Sequence, residues 1–295
     1  MDNLNNKVCI ITGSNISIGL ETAKLIAKEN YTVILACRDL KKAENAAQEI
    51  KQQTGNNNIQ CLKLDLTSLQ SVRDFVEEFK KLNLPLNLLV NNAGIMMVPY
   101  SKTIDGFGIQ FQVNHLGPFL LTYLLLDKLN ESRGSRILNL SSRAHYHAAK
   151  VNLENLDVSE KDYARIENYG FTKLCAILLT KELQRRVEEK GSDIIVNSIH
   201  PGVVHTNLAS HLGAVVRFFN SILAPLFYTS LKESAEACAK LAMGNKDDTK
   251  DIKASYFNVS NIATPSKQAM DPELAKSLWI KTAELLKLDP STPIN

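Results

Sequence analysis

The chain has 295 residues, which at about 150 residues per domain suggests two domains, although one α/β domain can also fill this length. Lys and Arg total 34 against 31 Asp and Glu, and a net charge of +3 without a basic block gives no electrostatic footprint for nucleic acid. Hydrophobic residues make up 44% at a mean hydropathy of -0.12, enough for a sizeable core, which excludes a disordered chain.

The first seven residues are polar and run straight into an apolar stretch, without a charged-then-apolar leader, so no secretory signal is expected. Apolar runs at 8–12, 32–37, 59–64, 86–91, 136–141 and 194–199 are rich in Val, Ile and Leu and lack polar alternation. They predict parallel strands buried on both faces. Helical patterns at 18–29, 40–53, 68–82, 107–131, 167–189 and 232–243 fill the gaps. Asp39 suits an N-cap and Gly55 a closing residue for the second helix, Ser68 caps the third, and Gly191 follows the fifth. A last strand at 254–259 and a helix at 272–286 complete the chain.

This alternation predicts an α/β fold: a doubly wound, Rossmann-type parallel sheet of about seven strands, with helices on both faces. Residues 1–295 read as a single domain carrying an apolar insertion at about 208–232, where a substrate lid would lie. Within it, 212–231 is interrupted by Arg217, Asn220, Ser221 and Pro225. No run reaches the roughly 18 apolar residues of a transmembrane segment. Cys9, Cys37, Cys61, Cys175 and Cys238 are odd in number and widely spread. They form no disulfide framework and no C-x-x-C clip, which favours a reducing, cytoplasmic location.

The first strand runs into Thr12-Gly13-Ser14-Asn15-Ile16-Ser17-Ile18-Gly19, and a helix follows at once. Such a turn sets backbone N–H groups and the positive helix end against a pyrophosphate, though any tight turn after a strand favours glycine as well. Further on come Asp65-Leu66, Asn91-Asn92-Ala93-Gly94, Asn114-His115-Leu116-Gly117, Ser141-Ser142, Tyr169 with Lys173, and Pro201-Gly202. In this order and spacing the chain resembles the short-chain dehydrogenase/reductase family over residues 5–288. The stretches Ala36-Cys37-Arg38-Asp39, Ser141-Ser142-Arg143-Ala144-His145 and His200-Pro201-Gly202 look most like its retinol-dehydrogenase-like branch. One departure is Ser17, which stands where the family loop has its middle glycine. A small serine there can cap the helix or donate to a phosphate; alternatively it crowds the cofactor.

The resemblance implies a nicotinamide cofactor held by Gly13, Ser14, Asn15, Ser17, Ile18 and Gly19. Arg38, Asp65, Leu66, Asn91, Ala93, Gly94, Tyr169, Lys173, Pro201, Gly202 and Thr206 complete that set. An NAD-preferring site puts a carboxylate at the end of the second strand. Here Cys37 and then Arg38 stand there, and a guanidinium suits a 2′-phosphate. The expectation is NADP(H), with Asp39 left to cap the following helix; Arg38 as a merely solvated charge stays open.

Tyr-x-x-x-Lys occurs three times, as Tyr146/Lys150, Tyr169/Lys173 and Tyr228/Lys232. Only Tyr169 starts a long helix 27 residues after Ser142, as the family pattern requires. A free phenol titrates near pH 10, about three units or roughly 4 kcal/mol above neutral. One cation about 4 Å away supplies a similar amount at an effective dielectric near 20. The resemblance makes Tyr169 the proton donor and acceptor and Ser142 the group orienting the substrate oxygen. By the same resemblance Lys173 bonds the ribose, and Asn114 holds a water linking Lys173 to solvent. His145 is expected to line the substrate pocket beside Ser142 and Tyr169, while the remaining histidines read as loop residues and no metal site is recognisable.

The function these residues imply is an NADP(H)-dependent oxidoreductase interconverting a carbonyl and an alcohol on a lipophilic small molecule. Peripheral membrane contact by the apolar insertion is compatible with the sequence. A homodimer through the helices of Asn114 and Tyr169 is the family expectation. Two other readings stay open: an NADPH-dependent, pigment-type reductase of another double bond, and a dinucleotide-binding sensor or interaction protein with little turnover. Ser17 alone supports the sensor, and the complete set Asn114, Ser142, Tyr169 and Lys173 argues against it.

Overall fold

The structure is a computed structural model that describes residues 7–203, 229–244 and 249–294. Thr206 and most of the apolar insertion therefore lie outside the described residues, as do Tyr228, His205 and His211. The strands are β1 (Val8–Thr12), β2 (Thr32–Cys37), β3 (Ile59–Lys63), β4 (Leu88–Asn91), β5 (Arg136–Leu140), β6 (Ile195–His200), β7 (Tyr256–Asn258) and β8 (Asn261–Ile262). They join in one sheet in the order β3-β2-β1-β4-β5-β6-β7-β8. Neighbours are parallel throughout, except for the antiparallel pair β7–β8. The expected doubly wound sheet is present, with β8 as an addition; two residues are too short to leave an apolar period. β4 starts two residues later than expected, because the Leu86 amide is taken by Ser132 Oγ at 3.1 Å.

In chain order the helices are α1 (Ser17–Lys28), α2 (Leu40–Thr54), α3 (Leu69–Lys81), α4 (Ile109–Phe111), α5 (Gly117–Glu131), α6 (Arg165–Glu189), α7 (Leu231–Met243) and α8 (Pro272–Leu285). Alternate residues of β1 point to opposite faces: Val8 and Ile10 into one core, Cys9 and Ile11 into the other. The first core packs under α3, α5, α6 and α8, the second under α1, α2 and α7. β1 and β4 are buried along their whole length, whereas the edge strand β3 is partly exposed. The local signals act as read. Asp39 accepts from Lys42 N, Ser68 accepts from Ser71 N, and Gly55 closes α2 at φ +74°.

The single helix expected at 107–131 is instead three stretches, with a π-helical turn at Gln112–Leu116 between α4 and α5. Pro118 brings no amide to the Asn114 carbonyl, so the regular ladder cannot run through this point. Gly117 lets the backbone press on Leu66, whose Cδ2 would lie 3.0 Å from any Cβ added there.

α8 lies across α5 and α6. Trp279 meets the Phe119 ring edge-on at 4.7 Å, sits under the Arg186 guanidinium at 4.7 Å, and donates from Nε1 to Pro290 O at 2.9 Å. Tyr123 on α5 donates to Asp289 O, and His115 Nε2 meets Thr282 Oγ1 at 2.9 Å.

Trp279 is 2% exposed. Replacing it by Ala is expected to cost about 3–5 kcal/mol in urea unfolding. A loss below about 1 kcal/mol would show that α8 does not unfold with the sheet.

Candidate active site

β1 is flanked by β2 on one side and β4 on the other, so the strand order reverses between β1 and β4. Ligand clefts of open α/β sheets form at the carboxyl ends of strands at such a switch point. A cleft of about 900 Å³ lies there, walled by the turn Gly13–Gly19 and by Asn92 to Ile95, Leu140, Ser141, Tyr169, Lys173 and Pro201. A seam of hydrogen bonds ties its two sides together. Thr12 Oγ1 accepts from Asn92 N and Ala93 N at 3.0 and 2.9 Å. Asn92 Nδ2 donates to Thr12 O at 2.7 Å and to Gly13 O at 3.2 Å. Gly19 is required by this packing, since an added Cβ would sit 2.5 Å from Asn92 Nδ2 and 2.8 Å from Gly13 O.

The N-terminus of α1 has no side-chain cap; Ile16 occupies the cap position and the first turn holds no acidic residue. Its free N–H groups and positive dipole end therefore suit an anion, which fits a dinucleotide phosphate. Asn15, Ser17 and Ile18 line the cleft here, while Ser14 is fully buried and donates its hydroxyl to Ile11 O at 2.8 Å. Ser17 has φ +54°, the left-handed region that favours glycine, and its side chain does not cap the helix. Arg38, directly after β2, is exposed and joins no ion pair among the described residues. Asp39 is committed to the α2 cap and to Lys42, whose amide holds its carboxyl below the ordinary range. Asp65 accepts from Thr67 N and Thr67 Oγ1 through Oδ1, and Leu66 is buried beneath Gly117.

Asn91 faces away from the cleft. Its Nδ2 donates to Thr122 Oγ1 and Asn139 Oδ1, and its Oδ1 is buried without a protein partner. It lines a second, small cavity together with Asn114, His115, Lys173 and Trp279. His115 Nδ1 is likewise buried and unpartnered. Asn114, in the π-helical turn, holds Ile95 at both ends: Oδ1 accepts from Ile95 N at 2.9 Å, and Nδ2 donates to Ile95 O at 2.8 Å. A further bond runs from Nδ2 to Thr172 Oγ1 at 3.1 Å. Gly94 lies close beside, where an added Cβ would be 3.2 Å from Asn114 Oδ1 and 3.5 Å from Lys173 Nζ.

Of the three Tyr-x-x-x-Lys pairs, Tyr169 and Lys173 lie buried on α6, whereas Tyr146 is half exposed and donates to Thr264 O. Gly170 lets α6 press against the 3₁₀ turn at Arg143–His147, since a Cβ there would meet Ala144 O at 2.5 Å. Lys173 Nζ donates to Leu140 O at 2.9 Å and lies 5.7 Å from the centre of the Tyr169 ring. Burial depresses this ammonium to about 8 and pushes the Tyr169 phenol up to about 12, against a smaller opposing contribution from Ser142. The phenol is thus raised where a lowering was expected, and the cause is desolvation of the ring.

Ser142 accepts from Ala144 N at 3.2 Å through Oγ. His145 is 1% exposed and turns away from solvent, and Pro201 and Gly202 follow β6, with Gly202 at φ +97° against Thr229. Ile16, Asn92, Ile95, Leu140 and Ser141 line the cleft without having been named as site residues; Ile16, Asn92 and Ser141 had a signal, lying inside quoted motifs. Among the described residues no three His, Cys, Asp or Glu side chains form a metal-binding group. None of the described helices is long and apolar enough to cross a membrane.

The family model described as short chain dehydrogenase matches residues 7–215. Human retinol dehydrogenase 13 is 40% identical over 287 residues, covering 96% of this chain and 85% of that protein. Mouse retinol dehydrogenase 11 is 43% identical over 286 residues, covering 97% of this chain and 88% of that protein. A crystal structure of an uncharacterised protein from Mycobacterium Paratuberculosis is similar with a TM-score of 0.75 at 32% identity, covering 98% of this chain and 95% of that one.

Left-handed backbone costs a residue other than glycine on the order of 1–3 kcal/mol, partly offset by glycine's larger unfolded-state entropy. Ser17→Gly is therefore expected to raise the unfolding free energy by about 1 kcal/mol in a denaturant titration. A destabilised variant would contradict a strained Ser17.

Proposed function

Because the chain belongs to the short-chain dehydrogenase family, we propose that it is a single-domain, NADP(H)-dependent oxidoreductase interconverting a carbonyl and an alcohol on a lipophilic small molecule. The observation that carries this reading is the convergence of Tyr169 and Lys173 on the wall of the switch-point cleft, with Ser142 beside the phenol. When bound, a nicotinamide dinucleotide supplies hydride to a carbonyl carbon or accepts it from an alcohol.

The chain's own residues account for the rest. The uncapped α1 and the turn from Gly13 to Gly19 suit the pyrophosphate, and Arg38, free of ion pairs among the described residues, suits a 2′-phosphate. Asp65 and Leu66 would flank the adenine, Ala93 and Gly94 would floor the cleft, and Pro201 and Gly202 would cover the nicotinamide end. Ser142 Oγ accepts an N–H from Ala144 and stands beside the Tyr169 phenol, so a substrate oxygen held there could take hydrogen bonds from both hydroxyls. Tyr169, raised to about 12, holds its proton at neutral pH and can give it to an oxygen that gains charge. Lys173 lies near enough to steady the phenolate left behind and to return a proton, being only about one unit from titrating at neutral pH. Water reaching Lys173 from the second cavity would find acceptors in Asn91 Oδ1 and His115 Nδ1.

A lipophilic substrate is supported by the names of the relatives and by the apolar sequence at 212–231. A cytoplasmic, reducing location is supported by five free cysteines.

The purified protein should oxidise NADPH in the presence of some member of a panel of lipophilic aldehydes and ketones that includes retinaldehyde. Tyr169→Phe is expected to lower kcat by about 10²- to 10⁴-fold. Turnover that survives this change would overturn the assignment. In the same assay Arg38→Ala should reduce the preference for NADPH over NADH by about tenfold or more. An unchanged ratio would contradict the cofactor assignment.

A further inference from the structure

The proposed reaction gives no part to His145, yet its imidazole is among the most committed side chains near the site. It is 1% exposed and stands three residues after Ser142. Nε2 lies 3.1 Å from the backbone N–H of Ser266, which can only donate, so Nε2 is the unprotonated nitrogen. The ring proton is therefore on Nδ1, which donates to the Ser142 carbonyl at 2.6 Å. That carbonyl also accepts the His145 amide at 3.0 Å. The ring is held edge-on by Tyr256 at 4.9 Å and lies against Tyr146 at 4.0 Å.

Around this contact two segments are stitched together. Tyr146 donates to Thr264 O, Val151 N donates to Gln268 Oε1, and Gln268 Nε2 donates to Ala149 O. Of these bonds, the one through His145 is the one that reaches Ser142. Ser142 needs such support. It lies just beyond the end of β5, in extended backbone, before the 3₁₀ turn begins, and its hydroxyl must point at a substrate oxygen.

We infer that His145 is a positioning residue: a neutral imidazole, fixed as the Nδ1–H tautomer, that ties the Ser142 peptide to the Ser266 segment and thereby aims the Ser142 hydroxyl. This rests on the oxidoreductase reading for its kinetic consequence, but not for its structural one. His145 does not touch the substrate; it acts through Ser142.

Three variants separate the two halves of the tie. Asn at 145 keeps a donor near the Nδ1 position, Gln keeps an acceptor near Nε2, and Leu keeps neither. With NADPH and a carbonyl that the wild type turns over, each of the three should lose on the order of 10- to 100-fold in kcat, since Asn releases Ser266, Gln releases Ser142 and Leu releases both. The dissociation constant for NADPH should stay within about twofold in all three. Wild-type kcat in His145→Leu, or in either single-sided variant, would overturn the inference. Loss of NADPH binding in all three variants would also overturn it, since His145 would then hold the fold and not the serine. Independently of turnover, ¹⁵N NMR of the imidazole at pH 7 should show the Nδ1–H tautomer. An Nε2–H tautomer or an imidazolium would refute the tie even in a protein that turns over every substrate. Absence of wild-type turnover on any carbonyl would instead count against the oxidoreductase reading and leave the NMR result to decide this one.

Discussion

A buried lysine, Lys173, only 7% exposed as a residue, is the constraint around which the rest of the site is arranged. Burying a cation is costly unless it is paired or hydrogen-bonded. Lys173 has no carboxylate partner among the described residues; its hydrogen bond goes to the Leu140 carbonyl at the end of β5. Its position follows from two larger features. α6 can approach the loop after β5 because Gly170 has no side chain, and β5 lies next to β4 because the sheet order reverses at β1. Shift either one and the ammonium leaves its place beside Tyr169. Being desolvated, it titrates near 8, which makes it suitable for handling protons at neutral pH.

Several local irregularities lie at this end of the sheet. Ser17 adopts left-handed backbone at the start of an uncapped helix. The π-helical turn interrupts the helix at Asn114, and Asn91 Oδ1 and His115 Nδ1 are buried without protein partners. By contrast α2, α3, α7 and α8 each carry a side-chain N-cap. Left-handed backbone and unpartnered polar atoms also occur away from the cleft, as at Asn30, Asn83 and Arg136, so it is the uncapped α1 and the π-helical turn beside the cleft that suit binding or chemistry there. Lys173, with Ala93 and Leu140, borders both the cleft and the second cavity.

The fold could be read in the sequence because its signals are local. Strand-sized runs of Val, Ile and Leu alternate with helical periods, and Asp39, Gly55 and Ser68 act within a few residues of themselves. The choice of Tyr169 over Tyr146 was legible from its place at the start of a long helix. What the sequence hid depends on contacts between distant positions. His145 meets Ser266 across 121 positions, which turns an expected pocket residue into a buried one with both ring nitrogens committed. His115 meets Thr282 across 167 positions, and with Trp279 it docks α8 against the π-helical turn and α5. The direction of the Tyr169 shift was missed for a similar reason, since it depends on how deeply α6 packs and not on the spacing of Tyr and Lys.

The most direct test of this account is the titration of Lys173 itself, followed by ¹³C NMR at its ε-carbon in lysine-labelled protein and assigned by the signal lost in Lys173→Met. A free lysine holds its proton to about pH 10.4, and burial should bring the midpoint down to about 8. The side chain would then be charged at neutral pH and lose its proton more than two units earlier than its exposed counterparts. A midpoint near 8 would support a buried cation poised for proton exchange with Tyr169. A midpoint near 10.4 would mean that the ammonium is solvated, and that the arrangement described around it does not hold.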